Sequence, residues 1–252
     1  MNNKNFTLSE IFASYNENKK KEEKGALWLY YVIRKFSFYP TWLFLKLGIS
    51  ANQATYISIA IGILGCALMA FGSYDVKIIG ALLVNVWFII DCVDGNIARC
   101  RKSFSRYGDF IDTLSGYIMY TLLFISAGIA AFNYSDSLLV TLQIKRNTFL
   151  TLGIWSSFAN IFPRLIYQKF LNTFQDARST VSTYKSNTKI YHIIYNIAHN
   201  IGSFAGFLAP ILLFVTIFRL WGTFTIFYAL INTGILLITS ARNILKAKNL
   251  DQ

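Results

Sequence analysis

Six stretches of this chain are long and apolar enough to cross a lipid bilayer, and unbroken runs of that kind leave a soluble fold almost nowhere to put them. A spanning helix needs roughly 20 mostly apolar residues, because the hydrocarbon layer is about 30 Å thick and a helix rises about 1.5 Å per residue. The predicted spans are residues 52–72, 76–98, 108–131, 148–168, 190–218 and 221–241. The fifth is long enough to tilt, with a kink expected at Pro210, and Pro163 is expected to disturb the fourth near its end. A composition of 54% hydrophobic and only 14% charged residues agrees with the runs. The fold class is all-α integral membrane.

Ahead of the first span, residues 26–47 mix Trp, Tyr, Phe and Leu with Arg34, Lys35, Pro40 and Lys46. That mixture predicts an amphipathic helix lying in the interface, aromatics at headgroup level and cations towards phosphates. As a seventh span it would bury three cations. Residues 1–25 read as a polar cytoplasmic segment with no apolar core of signal-peptide type. Residues 26–252 form one membrane domain without internal repeats.

The net charge of +12 raises the question of nucleic acid, but the cations sit in the gaps between apolar runs. Twenty of the 24 Lys and Arg fall on one side of the predicted topology, leaving only Lys77, Lys145, Arg146 and Arg219 on the other. Positive charge stays inside, so both termini are expected in the cytoplasm, with attraction to anionic lipid headgroups and no nucleic-acid role. The expected location is a bacterial cytoplasmic (inner) membrane. Cys66, Cys92 and Cys100 show neither CxxC nor Cys/His spacing and read as small packing residues.

The chemistry concentrates in Asp91-Cys92-Val93-Asp94-Gly95-Asn96-Ile97-Ala98-Arg99, followed by Gly108-Asp109-Phe110-Ile111-Asp112. Asp91 and Asp94 are one turn apart and share a helix face, and Asp112 lies at a similar depth on the next span. Carboxylates gathered at a bilayer edge persist only if protonated or neutralised. A hard divalent cation is the natural neutraliser, and it can clamp a diphosphate and polarise phosphorus. The structural alternative is ion pairing with Arg99, Arg101 and Arg106. Gly95 and Ala98 continue the aspartate face, giving either ligand access to the helix backbone or close helix packing. Arg99 offers a planar donor fork suited to phosphate.

This run resembles the signature of the CDP-alcohol phosphotransferase (CDP-alcohol phosphatidyltransferase) family, D-x2-D-G-x2-A-R-x8-G-x3-D-x3-D, at Asp91, Asp94, Gly95, Ala98, Arg99, Gly108 and Asp112. Gly48-Ile49-Ser50-Ala51-Asn52-Gln53-Ala54-Thr55 is similar to the family's G-[IV]-[ST]-P-N-x-x-[ST]. The resemblance implies a homodimeric transferase of substituted phosphate groups, dependent on one or two Mg²⁺ or Mn²⁺ ions. It implies metal-binding aspartates Asp91, Asp94 and Asp112, and a cytidine pocket lined by Gly95 and Ala98. An acceptor hydroxyl would attack the outer phosphorus of a CDP-linked donor, such as CDP-diacylglycerol or a soluble CDP-alcohol, and release CMP in phospholipid or related lipid synthesis.

The pattern breaks at its last aspartate, where this chain has Gly116. The family uses that acid for metal binding and for deprotonating the acceptor. Asp109 is the nearest acid in sequence, either replacing it or standing solvated. His192 and His199, in a polar stripe with Asn196 and Ser203 on the fifth span, are other candidate bases or buried structural histidines. An acceptor that is already anionic needs no base, and loss of activity would leave a membrane scaffold.

Arg164, in a stripe with Ser157 and Asn160, reads as a phosphate-holding group or a positive-inside anchor. Asn52 and Thr55 read as donor-phosphate contacts or as caps of the first span. An intramembrane prenyltransferase also holds a diphosphate on aspartates and Mg²⁺, but would release diphosphate in place of CMP.

Overall fold

The computed structural model describes residues 6–134, 143–174, 196–197 and 199–250, and every regular element among them is helical. In chain order these are α1 (Leu8–Ser14), α2 (Glu17–Glu23), a π-helical turn (Leu29–Ile33) running into α3 (Arg34–Lys46), α4 (Ala51–Phe71), α5 (Tyr74–Arg101), α6 (Arg106–Asn133), α7 (Arg146–Thr173), α8 (Leu208–Ile217) and α9 (Trp221–Leu250). Five of them, α4, α5, α6, α7 and α9, are long and apolar enough to cross a membrane. Several apolar spans of this kind make a multi-pass membrane protein.

The chain divides into two compact units: residues 1–119 with 198–218, and residues 120–197 with 219–252. In the first unit α4 and α5 pack antiparallel at very close range. A side chain on Gly65 would come within 2.9 Å of the Gly80 carbonyl, so only glycine lets the two backbones touch there. Ser50 caps α4 in a reciprocal box with Gln53: the Gln53 amide donates to Ser50 Oγ (3.3 Å) and the Ser50 amide to Gln53 Oε1 (2.8 Å). The cap is therefore Ser50, and Asn52 and Thr55 sit inside the helix.

The N-terminal residues belong to the same core. Ile11 and Tyr15 pack with Phe38, Leu45, Ala54, Ile90, Val93 and Ile97. α3 is amphipathic in the reverse of the usual sense. Its buried residues are Arg34, Ser37 and Thr41 beside Phe38 and Leu45, while Phe36, Tyr39 and Trp42 are exposed. Exposed aromatics suit lipid contact. The expectation that Arg34 faces headgroups fails: a hydrogen-bonded carboxylate on α2 draws it inward, and it is 5% exposed.

Of the expected fifth span, residues 190–195 and 198 lie outside the described residues. Within the described part the helix is not continuous: it breaks at residues 203–207 and restarts at Leu208. Gly206 presses against the Asn200 backbone, the Phe207 amide donates to the Asn200 carbonyl (2.6 Å), and Pro210 lies in the first turn of α8, where a missing N–H costs nothing. Pro163 does not end α7, which runs on to Thr173.

In the second unit, Gly128 of α6 and Gly153 of α7 cross so closely that a side chain on either would lie within 2.9 Å of the other's α-carbon. α7 and α9 are joined by polar bonds inside the apolar layer: Asn232 donates to Ser156 Oγ (2.8 Å) and Asn160 donates to Asn232 Oδ1 (3.2 Å).

Lys77, 1% exposed, folds back from the start of α5 so that its ammonium donates to the carbonyls of Met69 (2.5 Å) and Ala70 (3.0 Å) at the end of α4. A cation on the last carbonyls of a helix satisfies acceptors that have no helical partner and opposes the negative end of the helix dipole. Lys77→Met strands those carbonyls and should lower stability by about 1–3 kcal/mol, read as a fall in the thermal midpoint of the detergent-solubilised protein.

Candidate active site

The signature spacing becomes geometry at the turn between α5 and α6. α5 closes with Lys102 in the left-handed region (φ 52°). The Ser103 amide donates to the Ala98 carbonyl (2.9 Å) and the Lys102 amide to the Arg99 carbonyl (3.3 Å). This pair of bonds ends a helix in the shortest reversal available. Ser105 then starts α6, its Oγ accepting the Gly108 amide (2.9 Å). The eight residues between Arg99 and Gly108 are what this reversal requires, and they bring Asp109 and Asp112 back beside Asp94.

A cleft of about 530 Å³ opens there. α4 contributes Asn52 and Thr55, α5 contributes Asp94, Gly95 and Ala98, and α6 contributes Gly108, Asp109 and Asp112. Two helix N-termini, those of α4 and α6, meet at it, and their partial positive charge favours an anionic ligand. Gly108 has a specific reason to be glycine: a side chain would lie 3.2 Å from Asn52 Oδ1 and 3.1 Å from Ser105 Oγ.

Asp91 and Asp94 of α5 are each oriented by a hydroxyl from a neighbouring helix. Thr55 Oγ1 donates to Asp94 Oδ2 at 2.6 Å, and the Gly95 amide donates to Asp94 Oδ1. Ser115 Oγ donates to Asp91 Oδ1 at 3.1 Å and accepts from the indole of Trp87 at 3.3 Å. Asp94 is 8% exposed, Asp91 is half-buried behind it, and Asp112 is exposed to the cleft. The negative charges of Asp94 and Asp112 act on Asp91, and that of Asp112 on Asp94.

Ion pairing does not explain these acids. Among the described residues no lysine or arginine closes an ion pair with Asp91, Asp94 or Asp112. Arg101 donates to the Ile49 carbonyl (2.9 Å) and Arg99 to the Asn96 side chain. Among the described residues no group of three His, Cys, Asp or Glu side chains stands in metal-ligating geometry. The donor chemistry nonetheless suits a hard divalent cation: carboxylate oxygens only, from two helices, with no cation in contact.

Gly116 has open space where a side chain would go. Asp109 lines the cleft and its charge acts on Asp112. His192 lies outside the described residues, and His199 is half-buried and does not line the cleft. Arg164, in the second unit, sits over the Tyr120 ring at 4.2 Å from its centroid, with its Nε buried and unbonded. Ser115 and Asn96 carry no sequence signal of their role, because their partners lie on other helices.

An all-helical membrane protein with an acidic cleft at converging helix ends is a framework for handling phosphate esters. The chain belongs to the CDP-alcohol phosphatidyltransferase family, whose pattern it matches over residues 49–217. Members transfer phosphate-containing groups from CDP-alcohols in lipid synthesis. Comparison with curated proteins gives no match.

A side chain at Gly95 would touch Arg99 Nη1 at 3.4 Å, an ordinary contact distance. Gly95→Ala should therefore preserve the fold, leaving the thermal midpoint of the detergent-solubilised protein unchanged, because the added methyl group meets Arg99 only at ordinary contact distance and otherwise projects into the cleft.

Proposed function

We propose that this protein moves a substituted phosphate from a CDP-linked donor to an alcohol or anionic acceptor and releases CMP. The observation that carries the reading is the single cleft in which Asn52, Thr55, Asp94, Gly95, Ala98, Gly108 and Asp112 come together.

Asp91, Asp94 and Asp112 would hold Mg²⁺ or Mn²⁺, one ion or two, which when bound neutralises the diphosphate and draws electrons from phosphorus. Gly95 and Ala98 leave the cytidine a flat wall, and Asn52, Arg99 and the start of α6 take phosphate oxygens. An acceptor oxygen attacks the outer phosphorus, the bond between that phosphorus and the bridging oxygen breaks, and CMP departs with the electron pair. Where the acceptor is an alcohol, its proton passes to Asp109, an exposed acid of the cleft outside the proposed metal ligands. Where the acceptor is a phosphate, phosphonate or carboxylate, no proton need move, and the space at Gly116 admits its bulk.

The active site faces the cytoplasm of a bacterial cell by the distribution of cations, and the functional unit is a homodimer. A prenyltransferase would use the same acids but break a carbon–oxygen bond and release diphosphate.

Purified protein should release CMP from CDP-diacylglycerol or a soluble CDP-alcohol only with Mg²⁺ or Mn²⁺, and Asp91→Asn should abolish release. Diphosphate as the product, or CMP release that survives chelation, would overturn the reading. Thr55→Val, which removes only the hydroxyl orienting Asp94, should cost about 10–100-fold in rate. Asp109→Asn should slow transfer to alcohols and spare transfer to anionic acceptors, as read by mass spectrometry of the products.

A further inference from the structure

A chain of buried polar groups runs from the N-terminal helices to the signature arginine. Glu23, at the end of α2 and 6% exposed, takes Arg34 in a two-bond fork, Arg34 Nε to Glu23 Oε2 at 2.9 Å and Arg34 Nη2 to Glu23 Oε1. The Tyr15 hydroxyl donates to the same carboxylate at 2.9 Å. Burial first, then that hydrogen bond, pushes the Tyr15 phenol up from its usual range, so it remains a donor. Arg34 Nη1 reaches Asn96 Oδ1 at 3.1 Å, and Arg99 Nη2 donates to the same oxygen.

The orientation of Asn96 is imposed. Ser37 Oγ gives its proton to the Arg34 carbonyl (2.8 Å), and Thr41 Oγ1 gives its proton to the Ser37 carbonyl (2.7 Å). Both hydroxyls therefore present lone pairs, and Asn96 Nδ2 donates to each, at 3.0 and 2.9 Å. With its amide nitrogen held there, Asn96, fully buried, turns its carbonyl oxygen to the two guanidinium groups.

Two cations on one oxygen repel, and Arg34 and Arg99 do act on each other. Glu23 bonds directly to only one of them, Arg34, and its charge reaches Arg99 from a distance. Arg99 has no carboxylate in contact among the described residues, and its Nε is buried without a partner; it does not itself line the cleft, but its Nη1 would lie 3.4 Å from a side chain built on Gly95, which does. We propose that Glu23 is a positioning residue for the donor phosphate: it pins and neutralises Arg34, so that Arg99, held through Asn96, is left as the one guanidinium of the pair with charge to offer the ligand. The proposal rests on the reading of Arg99 as a donor contact. It also gives work to residues 15–34, which lie ahead of the matched segment 49–217.

The test is cytidine diphosphate binding, by titration calorimetry with Mg²⁺, to the full-length protein in detergent, with thermal unfolding as a check on folding. Glu23→Gln should weaken binding about 10-fold, and Glu23→Asp should recover most of it. In an Arg99→Ala background, Glu23→Gln should add nothing, because residues acting through one group are not additive. Glu23→Met with Arg34→Met, which removes both charges and packs the space, should bind more tightly than Glu23→Gln alone; this arm decides the question if Glu23→Gln does not fold. Additive losses from Glu23→Gln and Arg99→Ala, or equal binding by Glu23→Gln and the wild type, would overturn the proposal. If Arg99→Ala alone binds as the wild type does, the donor-contact reading of Arg99 fails and the proposal falls with it.

Discussion

Carboxylates crowded where helices end repel one another, and the rest of the first unit is arranged to hold them in place against that repulsion. The backbone contact at Gly65 and Gly80 fixes α4 against α5, which sets Thr55 opposite Asp94. The reversal at Lys102 fixes where α6 begins, and Ser115 then reaches Asp91 from one turn beyond Asp112. Hydroxyl donors, not cations, meet Asp91 and Asp94. A hydroxyl orients a carboxylate while leaving its charge intact for a ligand, whereas a contacting arginine would have consumed it.

The cations are kept close but out of contact. Arg34 acts on Asp91 and Arg99 on Asp94 from a distance, each engaged with a neutral or separate partner. A site built this way keeps negative and positive charge near one another without letting the two cancel. Low-dielectric surroundings make that separation count, since the same charges in water would be screened.

Much of this was legible in the sequence, because the informative residues are close together along it. Asp91, Asp94, Gly95 and Ala98 share a helix face by spacing alone, and the gap to Gly108 marks a tight reversal. Five of the six apolar runs coincide with helices long enough to span, and these helices extend beyond the runs: α5 continues through its charged end to Arg101 and α9 to Leu250. What was not legible depends on partners far apart in the chain. Nothing near Ser115 announces Asp91, and nothing near Glu23 announces Arg34 and Asn96. The break at residues 203–207 was misplaced because Pro210 drew attention to itself, while the cause is the close approach of Gly206 to Asn200.

The inside-out character of α3 carries a consequence for where this protein is stable. Its aromatic face needs no protein partner in an oily medium, and its grip on the molecule combines the packing of Phe38 and Leu45 with hydrogen bonds through Arg34, Ser37 and Thr41. Water competes for such bonds and hydrocarbon does not. The bilayer thus acts as the clamp for this segment: prising α3 away into lipid would strand the Arg34 guanidinium in a medium with nothing to offer it, whereas prising it away into water would not.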